Sequence, residues 1–140
     1  MVAALVMGLP SLRGGFLSGD DESLVLNSGL VNRPSVRHAL MLFEPKYHRD
    51  LYQPVPLLSF AAEFAVIRAL GITPEASGPA AGAWLFHLTN VLLHVATALL
   101  VRRLVRRYSG DERIGLWAGI LFAVHPLAVE PTAWLSGRMV

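Results

Sequence analysis

The chain has 140 residues, 54% of them hydrophobic and only 16% charged, with a net charge of +2 and no cysteine. That balance excludes an ordinary soluble domain and points to a membrane protein. The missing cysteines exclude a disulfide framework, a thiolate metal site and a cysteine nucleophile, without identifying the compartment.

Residues 1–9 are apolar but lack a basic flank and a small-residue cleavage site, so they make a poor signal peptide. They are expected to be the stub of a longer first membrane helix, and the chain as a whole to be a fragment whose activity needs further residues. Residues 10–51 are polar, with Gly14, Gly15, Gly19, Pro34 and Pro45 and no sustained periodicity. This predicts a long loop carrying short interfacial helices over 23–30 and 35–43. Within it, Asp20, Asp21 and Glu22 stand together. Three adjacent carboxylates suit a hard divalent cation or a general base, and equally a solvated turn that caps the following helix.

Tyr52-Gln53-Pro54 reads as a helix start at the membrane surface, opening a candidate membrane segment over 54–70. Glu63 and Arg68 interrupt that segment, and each would be costly in hydrocarbon unless paired or turned toward protein. Residues 80–104 form the strongest membrane segment: the 22 residues 80–101 carry no Asp, Glu, Lys or Arg, enough to cross a core of about 30 Å. His87, Asn90 and His94 recur at i, i+3 and i+7, so they share one face of this helix. The two histidines are two turns apart, about 10.5 Å along the axis, too far for one metal ion. The stripe therefore serves interhelical hydrogen bonding or ligand contact.

Arg102, Arg103, Arg106, Arg107 and Arg113 hold five of the twelve basic residues. Directly after an apolar helix, such a cluster reads as a cytoplasmic membrane anchor rather than a nucleic-acid site. A third membrane segment is expected over 114–135, with helix over 114–124 and another starting at Pro131. Pro126 and Pro131 disfavour helix at His125 and Glu130, so regular helix is expected to stop at both. Glu130, Trp134 and Arg138 would then line one face of the last helix, with Arg138 either clamping a phosphate or bridging structurally to Glu130.

The topology holds a conflict. Placing the arginines in the cytoplasm puts the Asp20–Asp21 loop on that same side if the 54–70 and 80–104 segments both span. Soluble-enzyme signatures are lacking: there is no GxGxxG, P-loop, HExxH or GxSxG.

Taken in order, four stretches resemble the transmembrane and tetratricopeptide-repeat proteins of the O-mannosyltransferase-like GT-C class. They are Phe16-Leu17-Ser18-Gly19-Asp20-Asp21-Glu22 with Asn27; Tyr52-Gln53-Pro54; the run from Phe86-His87 through Asn90 to His94; and Phe122 with His125-Pro126, Glu130-Pro131 and Trp134 to Arg138. The last is the most specific. Departures are Gln53, where the family usually has Arg, the shortened first helix, and the lack of visible tetratricopeptide repeats.

The resemblance implies an all-α, polytopic helical membrane protein with three to four membrane segments, of which 1–140 is a partial GT-C-like membrane domain. It implies transfer of a sugar, mannose by resemblance, from a polyprenyl-phosphate carrier to a protein or glycan hydroxyl outside the cytoplasm, in a bacterial inner membrane. Asp20 and Asp21 match the catalytic positions. His125, Glu130 and Arg138 are the candidates for donor phosphate binding, with His87, Asn90 and His94 as the embedded polar face. The metal requirement is open, and the partners are membrane lipid, lipid-linked donor and hydroxyl acceptor, with no nucleic acid. The competing reading is a non-catalytic scaffold or transporter fragment whose polar groups serve interhelical packing.

Overall fold

A computed structural model describes residues 15, 25–48, 52–72 and 81–139. The described residues form six α-helices and no strand: α1 (Gly29–Asn32), α2 (Val36–Met41), α3 (Pro54–Ala69), α4 (Ala83–Ser109), α5 (Glu112–Val124) and α6 (Pro126–Ala133), with a closing 3-10 turn over Leu135–Met139.

The punctuation of these helices is chemical. Pro54 opens α3 at the first helical position, where its missing N–H leaves no donor orphaned. Gly71, at φ 77°, closes it. The Gly71 N–H reaches Arg68 O and the Ile72 N–H reaches Ile67 O, both at 3.0 Å, a Schellman pattern that needs a left-handed residue at that point. Gly110 ends α4 in the same conformation. Asp111 then caps α5 by accepting from the Arg113 N–H at 2.6 Å, so only Gly110 and Asp111 separate the two helices. Continuation of α4 to Ser109, past the expected end near Leu104, reflects the high helix propensity of its arginines.

Two packing units result. Phe60, Phe64 and Ile67, at i, i+4 and i+7 of α3, are fully buried with Phe86 of α4, each aromatic contributing roughly 1.5–3 kcal/mol by burial. Val25, Val31, Leu42 and Leu135 join this core, so the polar loop and the C-terminal turn meet at the N-terminal end of α4. The second unit is the antiparallel α4–α5 hairpin. It is zipped by Gly115, Gly119 and Ala123, all buried on one face of α5. A Cβ on Gly115 would lie 2.7 Å from Arg106 Cβ and 2.8 Å from Arg102 O, and one on Gly119 2.9 Å from Arg102 Cβ. Small residues thus set the interaxial approach.

Among the described residues, α4 alone is long and apolar enough to span a membrane, and α5 with α6 makes a second such stretch bent by 70°. The 16 residues of α3 rise only about 24 Å, short of the hydrocarbon thickness. The bend falls at His125, held extended at φ −68° and ψ 128° by the following proline. The second expected break is not found. Pro131 sits inside α6, so Glu130 is helical and the helix starts at Pro126 instead. The two prolines are five residues apart, and the earlier one takes the first helical position, where a missing N–H is harmless. The second forfeits one hydrogen bond late in a short helix.

Candidate functional site

The three polar residues of α4 act on helix ends. His94 Nε2 lies 3.1 Å from Ala123 O, next to the α5 terminus. Asn90 Nδ2 donates to Pro131 O at 2.8 Å, and His87 Nδ1 lies 3.2 Å from Thr132 O. All three side chains are buried. The last carbonyls of any helix lack intrahelical partners, and breaking the third membrane stretch at His125 doubles the number of such ends. The periodic stripe supplies their donors. His87 Nε2 also faces Gly15 O at 3.4 Å, and a neutral ring can donate to one of its two carbonyls at a time. Interhelical bonding is thus what the stripe does in this structure.

Arg138 is the centre of a second network. Its Nε donates to Asn90 Oδ1 at 2.7 Å, and Nη1 to Ser59 Oγ at 2.7 Å and Glu63 Oε2 at 3.1 Å. Nη2 donates to Glu63 Oε1 at 3.0 Å and Phe86 O at 3.2 Å. All five guanidinium donors are used. The plane also lies over Phe60, 4.3 Å from the ring centroid. The side chains of Arg138 and Glu63 are 7% and 8% exposed. Gly137 makes this placement feasible, because a Cβ there would come within 3.0 Å of Pro131 Cα as the 3-10 turn folds under α6.

This corrects the expected pairing. Glu130 is exposed on α6, and because that helix ends at Ala133, Arg138 does not follow it at helical spacing. Glu63 takes the guanidinium instead, answering its own isolation in an apolar helix. Arg68 likewise finds a partner outside its own helix, donating through Nε to Asn32 O at 2.9 Å. Any phosphate contact by Arg138 requires one of its five bonds to be exchanged.

Between α4, α5 and α6 lies an open groove of about 850 Å³, lined by Asn90, Leu93, His94, Thr97, Leu121, Phe122, His125, Leu127, Ala128, Pro131, Thr132 and Arg138. His125 is exposed at its edge. The walls are mostly apolar; Asn90, His94, Thr132 and Arg138 come from the two networks just described, and Thr97 and His125 add further polar groups. Asp20 and Asp21 lie outside the described residues. Their described neighbours Gly15, near His87, and Val25, in the core with Phe60 and Phe86, both sit at the N-terminal end of α4. The arginine cluster occupies the other end of that helix, which is about 40 Å long. Among the described residues no group of three His, Asp or Glu could hold a metal ion.

Tyr52 stands just before the helix that opens at Pro54. Its hydroxyl donates to Phe43 O at 2.9 Å and its ring meets His48 edge-on at 4.8 Å, so it ties the polar loop to the start of α3. The glycines 115, 119 and 137 escaped the sequence reading. A small-residue repeat at four-residue spacing was the available signal for the first two.

The chain is 29% identical over 141 residues to protein O-mannosyl-transferase TMTC2 of Mus musculus, covering 96% of this chain and 15% of the relative. It is 28% identical over 141 residues to TMTC2 of Homo sapiens, with the same coverage of each chain. To protein O-mannosyl-transferase Tmtc1 of Drosophila melanogaster it is 32% identical over 143 residues, again 96% of this chain and 15% of the relative. The chain therefore spans about 15% of the length of the relatives it matches, and the resemblance read from its motifs holds over nearly its whole length. These relatives are animal proteins and lend no support to a bacterial inner membrane. No family profile matches the chain, and no solved structure matches it.

Proposed function

We propose that this chain is the site-bearing membrane segment of a glycosyltransferase that moves a sugar, mannose on the relatives' names, from a polyprenyl-phosphate carrier to a protein hydroxyl. Similarity over 96% of the chain to proteins named O-mannosyl-transferases carries this reading. The gathering of the polar face, the groove and both flanks of the acidic triplet toward one end of α4, away from the arginines, supports it.

In this reading α4 and the bent α5–α6 pair cross the membrane, and α3 enters it partially from the non-cytoplasmic side. The 25–48 segment packs on α3 and the α4 N-terminus, and with α3 not spanning, the acidic loop and the arginines fall on opposite sides in this reading. The groove takes the lipid-linked donor along its apolar walls, with His125 at its edge as a donor to the phosphate and Glu130 turned to the acceptor side. Asp20 or Asp21 accepts the hydroxyl proton as the acceptor oxygen bonds to the sugar's anomeric carbon and the carbon–phosphate oxygen bond breaks, with inversion. Arg138 serves as a positioning residue: it holds Asn90, and through it Pro131 at the groove wall.

The test is turnover of the full-length protein with polyprenyl-phosphate mannose and a Ser/Thr peptide. Asp21→Asn is expected to reduce kcat at least a hundredfold and His125→Ala to raise KM for the donor. Wild-type turnover in Asp20→Asn, Asp21→Asn and His125→Ala alike would overturn the assignment.

A further inference from the structure

The arginine cluster divides into two sets. Arg102 and Arg106, one turn apart on the α4 face that packs against Gly115 and Gly119, both bond the Glu112 carboxylate, Arg106 Nη1 at 2.8 Å from Oε2. Glu112 thus engages both of these arginines at the edge of the hairpin seam and offsets one of their two charges. Arg103 and Arg107, also one turn apart, and Arg113 on α5 are exposed, and among the described residues no acidic group pairs with them. Of the two neighbouring acids, Glu112 is taken by Arg102 and Arg106, and Asp111 has its Oδ1 engaged as the α5 cap by the backbone of Arg113.

The same level of the hairpin marks a boundary of polarity. Leu100 and Leu104 on α4 and Ile114 on α5 are exposed, as are Trp117 at 63% and Tyr108 at 85%. Toward the turn, exposed Leu100 and Trp117 give way to Arg103, Arg107 and Arg113, interleaved with Leu104 and Ile114 and followed by Tyr108, as in a hairpin end that passes from acyl chains into the headgroup layer.

We infer that Arg103, Arg107 and Arg113 form a binding surface for the phosphodiester headgroups of anionic phospholipids, while Glu112 withholds Arg102 and Arg106 from it. Planar guanidinium forks meet phosphate oxygens bidentately, and the exposed leucines continue the contact along the acyl chains. The inference is independent of any sugar chemistry, because it concerns the opposite end of α4 from the groove.

The test is native mass spectrometry of the full-length protein titrated with phosphatidylglycerol and, separately, phosphatidylcholine. Each basic residue near an anionic surface contributes a factor of about five, so replacing all three arginines by Gln is expected to weaken phosphatidylglycerol binding on the order of a hundredfold. Phosphatidylcholine binding should be unchanged, and the triple Lys variant, which keeps the charge but not the bidentate fork, should recover part of the difference. Glu112→Gln is expected to raise phosphatidylglycerol affinity by releasing two further cations. The inference is overturned if the triple Gln variant keeps its affinity within a factor of two, or loses both lipids equally. Displacement of phosphatidylglycerol by a single-stranded oligonucleotide at equal concentration would overturn it too, and would assign the surface to nucleic acid.

Discussion

At the residue scale, the Glu63–Arg138 pair is the costliest commitment in the structure. Two buried charges stand in an apolar core, and each is tolerable only because the other is present with its hydrogen bonds complete. Arg138→Ala is therefore expected to destabilise the protein by about 3–5 kcal/mol, read as a lowered Tm. Joint replacement of Glu63 and Arg138 by Leu should restore much of that loss. A double mutant no more stable than the single would contradict the pairing. His94→Ala should cost about 1–3 kcal/mol, because Ala123 O loses a buried donor. Part of this was legible in the sequence. The spacing of His87, Asn90 and His94 put them on one face, and each is buried against a carbonyl. What no spacing could reveal was their partners: Ala123, Pro131 and Thr132 become acceptors only once the chain has turned at His125. Glu63 likewise lies 75 residues from Arg138 in sequence, and nothing local announces that they meet.

At the element scale, the α4–α5 hairpin depends on close approach more than on apolar bulk. Gly119→Val is expected to force the helices apart, since even a first added carbon meets the Arg102 Cβ and, at 3.1 Å, the Ala98 carbonyl. A loss of about 2 kcal/mol or more, measured by thermal unfolding, should accompany it. Substitution of the exposed Trp117 by Leu should leave stability nearly unchanged and so control for lost hydrophobicity. The helices themselves were readable: uncharged runs predicted α4 and α5, and Pro54 predicted the start of α3. Pro131 does not open a helix as its position suggests, because two prolines five residues apart compete for the role of helix opener. Their order in the chain decides the outcome, since a helix already under way from Pro126 tolerates the later ring.

At the scale of the whole molecule, one long helix sorts the chemistry. Toward its N-terminal end lie the polar loop, the buried ion pair and the groove; at its other end lie the arginines, about 27 Å from Asn90 to Tyr108 by helical rise. Composition alone predicted a membrane protein and a cytoplasmic basic cluster, and left open the side on which the acidic loop lies. The apolar length of 54–70 invited a third crossing, whereas α3 is short and ends beside Gly82, whose added Cβ would meet Ile67 Cδ1 at 3.0 Å. The direct test is to introduce single cysteines at the exposed positions Asn27 and Tyr108, in full-length protein freed of other cysteines, and label sealed vesicles with an impermeant maleimide. Labelling of Tyr108→Cys from the cytoplasmic face and Asn27→Cys from the opposite face is predicted, and labelling of both from one face would contradict the account.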